Sequence, residues 1–128
     1  MELGAGVDII AISRMSQILE GSGRDAFMKK VYTEAEIARA RSHPQPVAYF
    51  AKTFAAKEAV FKTFSIAGTP DVRLTDIEIQ DGQVGEPVAV LSGYFAGLAA
   101  QRKVSRVLLS MSYDGDYAIA MAVLAGGE

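Results

Sequence analysis

The residues of this sequence best suited to chemistry lie in Phe54–Lys62, FAAKEAVFK: Lys57, Glu58 and Lys62. A Glu four positions before a Lys is a stabilising helix pair contributing about 0.2–0.5 kcal/mol, which alone accounts for Glu58 and Lys62. Lys57 is harder to explain that way. At about 100° per residue it falls among Phe50, Phe54, Phe61 and Phe64, where an ammonium needs a partner or has to snorkel outward. A second carboxylate, Asp8, interrupts the apolar run Leu3–Ile12. It reads either as a strand-end residue satisfied by a nearby amide or as a ligand to metal or substrate, since a carboxylate in an apolar strand is costly without a partner. With Asp8 near Glu58, two hard oxygen donors can hold one Mg²⁺ between phosphate oxygens, and the lysines can neutralise charge on a departing phosphate. That is apparatus for phosphoryl transfer without a glycine-rich cradle, because the chain has no GxxxxGK[ST] motif.

Composition narrows the chemistry further. The 128 residues, half of them hydrophobic, suit one domain over 1–128 with a real core. The net charge of −2 argues against non-specific nucleic-acid binding. Without cysteine there is no disulfide, thiolate nucleophile or Cys-based zinc site. The single histidine, His43, lies in the Pro-flanked loop SHPQP, so neither a Ser-His-Asp triad nor a His-rich metal site is expected, and any metal rests on carboxylates. The N-terminal MELGAGVDII lacks a basic segment and a long apolar core, and no apolar run is long enough to span a bilayer. The chain is expected to be cytoplasmic.

The elements that must position these residues read as α+β, a long central helix packed on a mostly antiparallel sheet. Leu3–Ile12 is a strand. Ser13 caps a helix Arg14–Glu20 that stops at Gly21-Ser22-Gly23, and a second helix covers Asp25–Val31. Thr33-Glu34-Ala35-Glu36 is a capping box opening a helix to Arg41. Pro46–Ala67 is the long helix, with its phenylalanines on one face and Ala48, Ala55, Ala56 and Ala59 on the other, where backbones can approach closely. After a break at Gly68-Thr69-Pro70 come strands Leu74–Gln80 and Val88–Leu91 around the Asp81-Gly82 turn, then a helix from Ser92 to Arg102. Val104–Ser112 and Tyr117–Leu124 form a central antiparallel hairpin through Asp114-Gly115, and Ala125–Glu128 is a frayed tail. Arg14, Arg24, Lys29 and Lys30 collect in the first third, either as solvated surface or as a docking patch for an acidic partner.

Gly6-Val7-Asp8 followed by Phe54–Lys62 resembles the 4′-phosphopantetheinyl transferases of the short holo-acyl-carrier-protein synthase type, with their pattern G-[VI]-D and F-[ASC]-x-K-E-[AS]-x-x-K. Arg14, the run Asp76-Ile77-Glu78-Ile79, the turn Gly85-Glu86-Pro87, and Ser110-Met111-Ser112 before Tyr117-Ala118-Ile119-Ala120 extend the likeness over nearly the whole chain. The resemblance implies that family's fold and the transfer of the phosphopantetheine arm of coenzyme A to a serine of an acyl carrier protein, releasing 3′,5′-ADP. It implies Asp8 and Glu58 as Mg²⁺ ligands, Glu58 as a proton acceptor for the serine, and Lys62 as the cation at the departing phosphate. Lys57, Lys62, Thr53 and Tyr113 fall at positions assigned to coenzyme A. Arg14, Arg24, Lys29 and Lys30 would face the acidic helix of the carrier. A homotrimer with shared active sites is implied, with Asp8 and Glu58 of one site drawn from different chains.

The match departs from the family in three places. Thr53 stands where an arginine is usual, Ser42–Pro46 lacks the basic residues common before the long helix, and Tyr113 replaces a histidine. A hydroxyl does not replace a bidentate guanidinium contact to phosphate in strength, so coenzyme A is expected to bind more weakly or to be held by Lys52, Arg73 or Arg106. Two other readings stand beside the enzyme: a catalytically weak or inactive carrier-protein or coenzyme A binding module of the same fold, and a hot-dog thioesterase.

Overall fold

Small residues decide how this chain packs. The computed structural model describes residues 1–67 and 72–127. Its elements are β1 (Glu2–Ala11), α1 (Ile12–Glu20), α2 (Arg24–Val31), α3 (Glu34–Arg41), α4 (Pro46–Thr63), β2 (Ile77–Asp81), β3 (Pro87–Leu91), α5 (Gly93–Gln101), β4 (Val104–Asp114) and β5 (Tyr117–Gly126). The class is α+β, as expected. One sheet has the order β1-β5-β4 and the other is the β2-β3 hairpin, and every pairing is antiparallel. The hairpin expected at Asp114-Gly115 is there, with Gly115 at φ 59°.

Helix α4 packs on the three-stranded sheet through methyl groups. Ala55, Ala56 and Ala59 are fully buried, as are Ala118 and Ala122 of β5. The opposite face carries the phenylalanines. Phe64 lies against Phe95 of α5 and Phe50 against Tyr32, with centroids 5.5 and 5.0 Å apart, while Phe54 and Phe61 are half-buried. The alanine face therefore belongs to the core as fully as the phenylalanine face. The tight fit also explains two glycines of β1. A Cβ on Gly4 would lie 2.1 Å from the Thr63 carbonyl oxygen, and one on Gly6 2.1 Å from that of Ala59. Only glycine lets the strand backbone touch the helix backbone here.

Alternation along β5 buries Ala118, Ala120, Ala122 and Leu124 and turns Tyr117, Ile119 and Met121 outward. Val7 and Ile9 of β1 and Leu108 of β4 join them on the outer face, all between 44% and 60% exposed.

Several boundaries move. Helix α4 ends at Thr63 rather than Ala67, because Ser65 takes a left-handed φ of 48°. Leu74–Asp76 is a 3-10 turn, so β2 starts only at Ile77. Ser13 lies inside α1, which begins after Ala11, and neither α1 nor α5 has a side-chain cap bond, so Ser13 and Ser92 do not cap. The tail is paired through Gly126, whose N–H donates to the Met1 carbonyl at 3.0 Å. The Gly68-Thr69-Pro70 break and Glu128 lie outside the described residues.

Candidate active site

Close approach of β1 to α4 brings Asp8 to Lys62. The Lys62 Nζ donates to Asp8 Oδ1 at 3.0 Å and to the Val7 carbonyl oxygen at 3.1 Å. Lys62 thus forms its ion pair across to the strand. The Asp8 side chain is largely covered and that of Lys62 half exposed, leaving the ammonium open on one side. Glu58 lies one turn earlier on α4, half-buried. Burial raises its carboxyl pKa above the ordinary value, the charge of Asp8 raises it further, and Lys62 opposes both. All three residues belong to one chain. The expectation that Asp8 and Glu58 of a site come from different chains is therefore corrected: the glycines of β1 bring the pair together within a protomer.

Two carboxylates whose charges interact, beside an ammonium, suit a hard divalent cation. Among the described residues no group of three or more His, Cys, Asp or Glu side chains gathers. A cation at Asp8 and Glu58 would therefore complete its shell with water and substrate oxygens, the usual arrangement for Mg²⁺. In chemical terms the arrangement offers a carboxylate inclined to take a proton and a cation ready to meet an anionic oxygen.

Two of the residues assigned to coenzyme A are interior. Lys57 is fully buried, its Nζ 2.5 Å from Glu36 Oε1, and burial lowers its pKa while Glu36 opposes the shift. Thr53 is 2% exposed, and its Oγ1 has no hydrogen-bond partner among the described residues. Neither offers an atom to a ligand at the surface, so the assignment of both is corrected. Tyr113 remains accessible on β4, half-buried. The Lys52 ammonium lies over its ring, 5.5 Å from the centroid, and 5.1 Å from that of Tyr49. A cation thus stands beside the tyrosine. His43 accepts at Nδ1 from the Gln45 N–H at 3.0 Å and lies against Tyr49, far from a triad role.

Arg14 on α1 and Arg24, Lys29 and Lys30 on α2 are exposed. Arg24, Lys29, Arg41 and Arg73 line a groove of about 530 Å³ between α2 and α3, and Asp25 and Glu34 temper its charge. Arg73 therefore groups with the basic surface and not with Tyr113. Neither Asp8 nor Glu58 lines that groove; they lie where β1 meets α4.

Sequence reasoning missed the partner of Lys57. The signal was present in the capping box: Thr33 and Glu36 make both of its bonds, as expected. The capping box accounts for only part of the Glu36 carboxylate, however. Its second oxygen accepts the Ile79 N–H at 2.7 Å.

Comparisons with known proteins find relatives along nearly the whole chain. The chain is 38% identical over 126 residues to the holo-[acyl-carrier-protein] synthase of Desulforudis audaxviator, covering 98% of this chain and 95% of the relative. The crystal structure of holo-[acyl-carrier-protein] synthase from Neisseria meningitidis superposes with a TM-score of 0.86 at 30% identity, covering 98% of this chain and 99% of that one. A Chronobacterium ammoniagenes structure described as an ACPS–CoA complex gives a TM-score of 0.81 at 29% identity, with 98% of each chain covered. Residues 4–122 match the family profile described as ACPS, 4′-phosphopantetheinyl transferase superfamily. With Gly6-Val7-Asp8 and Phe54–Lys62 both inside that match, the chain belongs to the 4′-phosphopantetheinyl transferase superfamily.

Proposed function

We propose that this chain is a cytoplasmic, Mg²⁺-dependent holo-[acyl-carrier-protein] synthase acting as a single domain. It transfers 4′-phosphopantetheine from coenzyme A to a serine of an apo acyl carrier protein. The observation that carries the reading is the meeting of Asp8, Glu58 and Lys62 where β1 crosses α4 in a member of this superfamily.

The serine oxygen attacks the pyrophosphate phosphorus that bears the pantetheine. A serine O–P bond forms, the bond to the second phosphate breaks, and 3′,5′-ADP leaves. Glu58 takes the serine proton, directly or through water, and its raised pKa suits it to accept one. Lys62, steadied by the Val7 carbonyl, meets the charge developing on the departing phosphate. Asp8 orients that ammonium. Asp8 and Glu58 would hold Mg²⁺, which when bound neutralises phosphate charge as a Lewis acid. Arg14, Arg24, Lys29 and Lys30 form the docking surface for an acidic carrier.

The chain would work as a homotrimer, a reading supported by the uncovered apolar face of the β1-β5-β4 sheet. A neighbouring copy would then add to a site whose carboxylates are one chain's own. The weak or inactive module draws support from the interior Thr53, but Lys52 beside Tyr113 restores a cation where coenzyme A phosphate would be expected. The hot-dog thioesterase is set aside, since 98% of the chain superposes on a holo-[acyl-carrier-protein] synthase structure. The test is the intact mass of an apo carrier protein after incubation with coenzyme A and Mg²⁺. A gain of the phosphopantetheine mass, lost in Glu58→Ala, is expected; coenzyme A bound but no gain across several carriers would favour the module.

A further inference from the structure

Lys57 and Glu58 are consecutive in α4 yet face different neighbours. Lys57 points to α3 and β2, while Glu58 feels the charge of Asp8 on β1. Successive helix residues are about 100° apart, so whatever fixes the direction of one fixes the other. Glu36 is what fixes Lys57. Its Oε1 accepts the Lys57 ammonium at 2.5 Å and the Thr33 N–H at 2.9 Å, and its Oε2 accepts the Ile79 N–H at 2.7 Å. One buried carboxylate thus ties the start of α3, the middle of α4 and strand β2 together.

The rest of the α4 contact with the three-stranded sheet has little of this directionality. Ala55, Ala56 and Ala59 lie on the buried methyls of β5 and the glycines of β1. Such packing allows close approach, and on the other face Phe50 and Phe64 lie against Tyr32 and Phe95; the Lys57–Glu36 pair adds a buried, directional contact to these. A buried ion pair is a poor source of net stability, because apolar residues of the same volume often do as well, but its direction is specific.

We propose that Lys57 is a positioning residue for the transfer reaction: its bond to Glu36 sets the rotation of α4 and so aims Glu58 at Asp8. This rests on the reading of Asp8 and Glu58 given under Proposed function.

The test compares Lys57→Met, Glu36→Gln and the double variant. Lys57→Met leaves a carboxylate buried without its cation and is expected to melt far below the wild type. The double variant removes both charges at similar volume and recovers most of the melting temperature. In it, kcat for carrier modification should remain at least about tenfold down, with KM for coenzyme A within about threefold of the wild type. Affinity for Mn²⁺, used as the probe cation and read by electron paramagnetic resonance without coenzyme A, should also fall about tenfold, the usual scale for residues behind a metal site. Glu36→Gln alone tests the bond from the other side and should show the same loss of kcat. Native kcat and native Mn²⁺ affinity in either folded variant would overturn the proposal. Full activity in Glu58→Ala would instead remove the reading it rests on, which keeps the two failures distinct.

Discussion

Glu58 is held where its charge is unwelcome, and this links its chemistry to stability. Its pKa is raised in the folded chain, first by burial and then by Asp8. Between the ordinary carboxylate pKa and the raised value, the folded state binds more protons than the unfolded one, so stability falls as pH rises through that window. Glu58→Gln removes this loss. In chelator, the melting temperature of Glu58→Gln should rise relative to the wild type as the pH is taken from 4 to 7; a difference independent of pH would refute the linkage. The same variant should transfer the arm about 10²–10⁴-fold more slowly, the usual scale for a lost general base. Lys52 gives a second prediction. It is the cation poised between Tyr49 and Tyr113. If it contacts a coenzyme A phosphate, its loss removes a charge-assisted hydrogen bond of about 1.5–3 kcal/mol. Lys52→Ala should then weaken coenzyme A binding about tenfold or more by calorimetry, and an unchanged Kd would return the tyrosine cluster to a packing role.

At the scale of elements, the site exists because strand β1 lies directly on helix α4. Gly6→Ala tests this, since its Cβ would sit 2.1 Å from the Ala59 carbonyl oxygen and 3.1 Å from the Lys62 Cβ. Strand and helix would have to separate, at about 1–3 kcal/mol for an overpacked contact. Urea unfolding should show that loss, and transfer activity should fall with it as Asp8 leaves Lys62; native stability would mean the approach is not tight. Much of this layout was legible in the sequence. The period of α4, the Thr33/Glu36 capping box and the Asp114-Gly115 turn are local signals, and each appears where expected. Glu58 and Lys62 stood out because Phe54–Lys62 is a long motif, and Asp8 because it is a carboxylate inside an apolar strand. What was not legible depends on partners distant in sequence. Lys57 was expected to need a partner or to snorkel outward, but the partner was not legible because Glu36 comes from another helix and is fixed by a strand 43 residues further on. Thr53 gave no sign of being interior, because an alternating mixture of alanine and phenylalanine buries both sides of α4.

At the scale of the whole molecule, one feature is unresolved within a single chain: the outer face of the β1-β5-β4 sheet. Val7 pairs with Met121 and Ile9 with Ile119, so their exposed side chains form a continuous apolar strip that no element of the chain covers among the described residues. Soluble monomers rarely leave such strips open. Asp8 stands between Val7 and Ile9 on the same strand, pointing to the other side. Any partner covering the strip therefore braces the strand that carries Asp8, which would connect assembly to activity. Met121 lies on the central strand, between Val7 of β1 and Ser110 of β4. Met121→Glu would put a charge where the proposed interface would exclude water, and an isolated buried carboxylate is not tolerated. In light scattering the wild type should run at three times the chain mass of 13.6 kDa, and Met121→Glu at that mass itself. Transfer by the variant should fall at least about tenfold, with the proposed docking surface at Arg14 and Arg24 left intact because these lie on α1 and α2. A wild type that is monomeric and fully active would show that the strip serves something other than self-assembly.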